Sequence, residues 1–289
     1  GMESTFSSKQ VAEFLGVNES SVKRWEDSGM LGCYKTPGGH RKFKKNDIML
    51  FSSKYSYELK NNILLSRESA HIKEKTLDFE KIKNVLLLKL FKGSDDEILD
   101  YLYSLHLTGL GVTDLYDNVI GRTMKSIGEM WKKKELSIEQ EHISTSKITK
   151  ALIRFHGKLE PKLKNGLTAF CGCPEKEFHE LPLLSVNNVL QYNGWNTIYA
   201  GVNLPVKSFI SGIKMYKPDL VCLSATIIED KDKFKSSIKR IFDTAKDSGS
   251  HFIIGGYAVH SFSDVKGCCD SLILSIADLL KFTKEKYSV

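Results

Sequence analysis

Beyond residue 164 the chain alternates short, apolar, β-rich runs with helix-period runs, and few folds accept that order. The strand-like runs are Leu167-Thr168-Ala169-Phe170-Cys171, Asn196 to Ala200, Asp219 to Ser224, His251 to Ile254 and a shorter Ser271 to Leu274. Between them lie helical runs at Leu181 to Tyr192, Val206 to Tyr216 and Lys231 to Asp247, and one more follows the last strand. Short connections in that order predict a parallel sheet covered by helices on both faces, an α/β doubly wound domain of the Rossmann/flavodoxin-like class. Ligands of such sheets bind outside the carboxyl ends of the strands. Here those ends carry Glu177 and His179, then Ser224-Ala225-Thr226, then Gly255-Gly256. His179 can present one ring nitrogen to a ligand, while Glu177 accepts from the other and fixes the tautomer. The small hydroxyl residues and the glycine pair leave room for a bulky group to slide between strands. No G-x-G-x-x-G follows the first strand and no Walker-A pattern occurs, so a dinucleotide site has little support.

The rest of the chain has different habits. At 289 residues, about two domains are expected on length alone, with three possible. Residues 76–163 hold four helix-period stretches, about 78–91, 95–107, 113–131 and 137–159, and read as a four-helix bundle. Asp95 and Asp96 suit the N-terminus of the second helix, and Ser137 with Gln140 has capping-box spacing for the fourth. Residues 1–75 form a smaller segment. Ser8 is placed to cap a helix with Val11, Phe14 and Leu15 on one face, and Gly16 stops it. Asn18 is placed to cap a second helix, Glu19 to Ser28, with Val22 and Trp25 inward. Two short helices around a glycine-containing turn read as helix-turn-helix. Lys23 and Arg24 lie off the inward face, where phosphates or base edges are in reach. Pro37-Gly38-Gly39 then makes a tight turn between two short strands. Residues 35–45 carry five Lys/Arg and no acid, among them Lys35, Arg41 and Lys42, with His40 at the turn. A basic hairpin tip beside a helix-turn-helix has the electrostatic footprint of a DNA-binding wing.

Composition excludes some classes. With 41% hydrophobic and 27% charged residues the chain can bury a core, and no run of about 18 apolar residues offers a membrane span. No basic-then-apolar leader opens it, so a cytoplasmic protein is expected. Cys171, Cys173 and Cys222 fall in apolar strand-like runs, as reduced buried thiols do. Neither Cys171-Gly172-Cys173 nor Cys268-Cys269 has zinc-ligand spacing.

Residues 5 to 53 resemble the winged helix-turn-helix of the MerR family, through Arg24-Trp25-Glu26, Gly29 and the wing Thr36-Pro37-Gly38-Gly39-His40-Arg41-Lys42-Phe43. The remainder resembles the cobalamin-binding unit of corrinoid proteins, a helical cap followed by a doubly wound domain. The family's Asp-x-His-x-x-Gly loop is matched by Glu177, His179 and Pro182. Ser224, Thr226, Gly255 and Gly256 match positions lining the channel for the nucleotide tail. Trp131, Glu141 and His142 match the Trp-x9-Glu-His cap of the light-sensing CarH/LitR branch. The resemblance implies a non-enzymatic transcriptional regulator, a repressor sensing adenosylcobalamin. His179 would be the lower cobalt ligand, Trp131, Glu141 and His142 would face the adenosyl group, and Lys23, Arg24, Lys35, His40, Arg41 and Lys42 would hold duplex DNA. It also implies self-association as a dimer or tetramer. Two positions depart from the pattern: Pro182 replaces the loop glycine, and Lys132 stands where light-responsive members place a histidine. Two other readings stay open: a MerR-like regulator whose sensory domain binds another ligand or has lost cobalamin, and a corrinoid carrier in methyl transfer.

Overall fold

The computed structural model describes residues 5–54, 78–260, 265 and 267–289. It divides into two compact units, Gly1–Asp78 and Phe79–Val289. The boundary expected near residue 75 lies outside the described residues.

In the first unit, β1 (Thr5–Phe6), α1 (Ser8–Leu15), α2 (Glu19–Asp27), β2 (Tyr34–Lys35), β3 (Arg41–Lys44) and α3 (Lys45–Lys54) follow in order. The three strands form an antiparallel sheet in the order β1-β3-β2. Val11, Phe14, Leu15, Val22, Trp25, Leu31, Phe43, Ile48 and Phe51 make its core, as the helical spacing required for the first five. The cap of α1 is Ser7 and not Ser8. Ser7 has extended backbone angles and its hydroxyl accepts from the Gln10 amide, while Gln10 reaches back to the Ser7 amide. Ser8 is already helical and buried. Asn18 sits at the cap of α2, but its side chain makes no capping bond.

The second unit opens with the bundle: α4 (Phe79–Lys92), α5 (Asp95–Leu107), α6 (Val112–Asp114), a π-helical stretch Leu115–Gly121, α7 (Arg122–Lys132) and α8 (Ile138–His156). Capping boxes at Ser94/Glu97 and Ser137/Gln140 start α5 and α8. The third helix-period stretch therefore forms as expected, except for its π-helical middle. There Tyr116 and Asp117, adjacent in sequence, both reach the α/β part: the Tyr116 hydroxyl accepts from Asn188 Nδ2, and the Asp117 carboxylate accepts from the Ile276 and Ala277 amides. A widened turn of this kind often marks a place where a helix serves a contact outside itself.

The α/β part runs β4 (Thr168–Pro174), α9 (Glu180–Tyr192), β5 (Asn196–Leu204), α10 (Val206–Tyr216), β6 (Leu220–Ser224), α11 (Lys231–Asp247), β7 (His251–Gly255), β8 (Ser271–Ile273) and α12 (Ile276–Tyr287). All five strands are parallel, in the order β5-β4-β6-β7-β8. The chain thus winds outward from β4 in one direction to β5 and in the other to β6. The reversal opens a crevice at the carboxyl ends of β4 and β6. One face of the sheet shares a core with the bundle, where Ala169, Cys171, Cys222 and Ile253 join Leu115, Ile148 and Leu152. The other face, with Phe170, Val221, Phe252 and Ile254, packs on Phe209, Ile213, Ile238 and Ile241.

Candidate functional site

Two sets of residues carry chemistry, one in each unit. In the first unit, Arg24, Lys35 and His40 are exposed and Lys42 is partly so. Lys23 pairs with Glu19 at 3.0 Å along the helix. Arg24, His40 and Lys42 make no ion pair with any described residue. Arg41 differs: its Nε donates to Glu26 and its Nη2 donates to Asp27 at 2.7 Å. Lys35 Nζ lies 3.7 Å from the same Glu26. The Arg41 guanidinium beside it holds the Glu26 carboxyl down at about 2. Six basic or imidazole side chains expected to meet DNA therefore stand in two states, and Arg41 is the most heavily engaged.

In the second unit the crevice between β4 and β6 gathers Glu177, His179, Ser224 and Thr226. Glu177 lies in the loop after β4 and is buried. One carboxylate oxygen accepts from the His179 amide at 2.8 Å and sits 2.6 Å from His179 Nδ1. The other accepts from the amides of Thr226 at 2.6 Å and Ile227 at 3.0 Å. Burial alone would raise the pKa of Glu177, but the Ile227, His179 and Thr226 amides and the His179 ring outweigh it and hold the carboxyl below its ordinary value. An ionised partner on Nδ1 assigns the proton of a neutral ring to that nitrogen, which leaves the Nε2 lone pair for a ligand. The imidazole is half exposed. From below, the Cys173 thiol points at the His179 carbonyl at 3.9 Å. Burial pushes that thiol up to about 12, so it stays protonated and able to donate.

Beside this histidine, the hydroxyls of Ser224 and Thr226 are buried and have no hydrogen-bond partner among the described residues. An orphaned buried hydroxyl is costly, and it marks a place for a polar group that the chain itself does not supply. Among the described residues no three His, Cys, Asp or Glu side chains cluster as a metal site. A metal held inside a macrocycle needs from the protein only an axial donor, and Nε2 of His179 is one. The residues present therefore fit a tetrapyrrole with a polar tail better than a bare ion.

Three expectations are refined by the geometry. Gly256 has φ +96°, and a Cβ there would fall 2.3 Å from the Ala225 carbonyl oxygen. Its missing side chain thus serves the close approach of two strand ends, not open space. Pro182 lies in the first turn of α9, where its missing N–H is no loss. Lys132 ends α7 and places its ammonium 5.5 Å from the centre of the Tyr257 ring, next to Gly256. The cap residues are less organised. Trp131 is nearly half exposed, Glu141 accepts from Thr145, and His142 stands largely in solvent 3.7 Å from Glu141. No described hydrogen bond or ion pair joins these three to Glu177 or His179.

Sequence reasoning found His179 and its partner but missed the reach of Glu177 to the β6 loop. Backbone amides leave no mark in a sequence, so no signal was there to read. Cys173 was read as a buried thiol, and its place under the histidine loop also needed the fold.

Residues 167–269 match the B12 binding domain family, residues 82–154 match a second B12 binding domain family, and residues 5–52 match a helix-turn-helix domain. The HTH-type transcriptional repressor CarH of Myxococcus xanthus is 22% identical over 294 residues, covering 95% of each chain. The transcriptional repressor DcmR of Methylorubrum extorquens is 44% identical to this chain over 46 residues, 16% of this chain and 17% of its own. In fold, the monomethylamine corrinoid protein of Methanosarcina barkeri superposes with a TM-score of 0.59 at 18% identity, over 71% of this chain and 96% of its own. That likeness is one of fold. The domain matches support a regulator with a DNA-binding head and a cobalamin-binding module. No helix among the described residues is long and apolar enough to cross a membrane.

Proposed function

We propose that this chain is a cytoplasmic transcriptional repressor that takes adenosylcobalamin as its effector and light as the signal that removes it from DNA. The observation that carries the reading is the pairing of a free His179 Nε2, its ring fixed by Glu177, with the orphaned hydroxyls of Ser224 and Thr226 at one crevice. In this reading His179 would hold the cobalt of the cofactor through Nε2. Ser224 and Thr226 receive the polar tail, with Gly255 and Gly256 framing its channel. Trp131, Glu141 and His142 shelter the upper adenosyl side. Lys23, Arg24, Lys35, His40 and Lys42 meet the phosphates and grooves of duplex DNA.

When bound, the cofactor supplies a bulky upper substituent on a bond that light can cleave. The chain's own residues do the rest. Glu177 keeps the imidazole oriented and its proton on Nδ1. The bundle covers the site and reports whether it is filled. An effector shifts such an equilibrium only by binding one state better, and a coupling of about 1–3 kcal/mol is typical. Self-association as a dimer or tetramer converts that bias into operator affinity.

The test is direct. Protein mixed with adenosylcobalamin in the dark and passed over a sizing column should carry corrin absorbance with it, and should release operator DNA after green light. His179→Ala should lose the imidazole-ligated spectrum. Corrin eluting apart from wild-type protein would end the reading. Retention of corrin with dark and lit samples binding DNA alike would remove light from it.

A further inference from the structure

Residues 35–45 look like a uniform basic strip, but the structure divides their charges by function. Glu26 and Asp27 are the last two residues of α2, the second helix of the helix-turn-helix. Carboxylates there face the negative end of the helix dipole, and on a DNA-facing element they also repel phosphate. Both are met by one side chain from the wing. Arg41 spreads its guanidinium across the pair, Nε to Glu26 and Nη2 to Asp27. Lys35, opposite Arg41 in the β2–β3 ladder, adds its ammonium 3.7 Å from Glu26. Two acids and two bases thus form a charge-balanced group. The Glu26 side chain is 14% exposed and that of Arg41 25%, so this pair is tucked between helix and wing, while Asp27 and Lys35 flank it at the surface. Around it, Arg24, His40 and Lys42 have no such partners among the described residues.

We propose that Arg41 is a positioning residue, a two-toothed clamp that fixes the angle of the wing to the recognition helix, and that it does not itself bind phosphate. The proposal rests on the DNA-binding reading and adds to it a division of labour within the basic strip. The clamp needs a planar fork, because two carboxylates on consecutive helix residues must be met in one plane. Lysine keeps the charge but not the fork. The Glu26 carboxyl stays ionised at any ordinary pH, so the clamp does not open by titration.

The test uses the full chain and a duplex of about 30 base pairs enriched by the wild-type protein from a random-sequence pool, with unselected duplex as the non-specific probe. Affinity is measured across a salt series, where each phosphate contact contributes about 0.9 to the slope of log K against log salt. Glu26→Gln should weaken binding to the enriched duplex about tenfold without weakening binding to the unselected duplex. Arg41→Lys should do the same. Lys42→Gln should weaken both duplexes and flatten the slope by about 0.9. Folding is checked by amide exchange: Thr36, bonded to the His40 carbonyl, should exchange faster in the two clamp variants, while Val11 stays protected. The two ideas predict opposite signs. If Arg41 served phosphate, removing Glu26 would free it and tighten binding, and lysine would substitute well. Tighter or unchanged binding by Glu26→Gln, or wild-type affinity in Arg41→Lys, overturns the clamp with DNA binding intact. A wild-type chain that enriches no duplex overturns the DNA-binding reading and the clamp with it.

Discussion

His179 and Trp131 both reach solvent, yet the chain holds them on different terms. Below the proposed macrocycle, His179 is tied through Glu177 to its own backbone and to the β6 loop, with a thiol beneath its carbonyl. Above it, Trp131 is the last but one residue of α7 and is nearly half exposed, while Glu141 and His142 bond locally and not across the crevice. The lower side is organised before any ligand arrives, and the upper side is left to be organised by one. That asymmetry suits a sensor. A rigid lower face gives affinity without an ordering cost, and a loose cap is the part whose arrangement can depend on what is bound.

The largest expected effect breaks the lower side. Glu177→Ala leaves the Thr226 and Ile227 amides without their acceptor and frees the His179 ring. We expect about 2–3 kcal/mol of lost stability in denaturant unfolding, because the lost bonds run to an ionised group. Cobalamin binding should fall with it. Trp131→Ala is the counterpart on the upper side. Its stability change should stay within about 0.5 kcal/mol, as for other exposed sites, while adenosylcobalamin binds more weakly. A Trp131→Ala protein as unstable as Glu177→Ala would erase the contrast.

Acid sharpens it. The Glu177 pKa is depressed in the folded chain, so its contribution is fully present above the unfolded carboxylate value, about 4.3, and is lost as pH falls through the lower folded value. Asp117, on the π-helical stretch, has the opposite sign. Burial raises its pKa, with the Ile276 and Ala277 amides only partly offsetting it. Its contribution is greatest when protonated and declines as pH rises through the folded value. Acid unfolding curves of Glu177→Ala and wild type should therefore converge at the acid end. Curves that stay parallel down to acid would mean that Glu177 is not the group that fails.

Much of this was legible in the sequence, for identifiable reasons. Alternation of period and length placed all five strands and the helices between them, and from them the edge where His179 had to lie. Glu177 was legible because a carboxylate two residues from a histidine is a local pattern. What escaped was non-local or carried by backbone. The Thr226 and Ile227 amides look like any others in sequence. The engagement of Arg41 by Glu26 and Asp27 depends on how wing and helix meet, so Arg41 looked as available as Lys42. The cap of α1 was misplaced by one residue although a signal existed: Gln10 lies three after Ser7, which is capping-box spacing. The π-helical stretch keeps a helical pattern and announces nothing.

The smallest expected effect concerns a contact that joins the end of the cap helix to the strand end beside Gly256. Lys132 lies over the Tyr257 ring at 5.5 Å, and an exposed cation–π pair contributes about 0.5–1 kcal/mol. Lys132→Ala and Tyr257→Leu should each cost about that, and the double variant should cost less than their sum, because both remove the same interaction. The cycle is worth its small signal because it asks whether the loose upper side has any fixed point before ligand binds. A coupling of about 0.5 kcal/mol or more gives the cap a hinge at Lys132, so that Trp131 moves about a defined end. No coupling would leave the upper side without that tether, and the cap's position would then rest on contacts farther from Trp131, among them those of Tyr116, Asp117 and His156 and the shared apolar core.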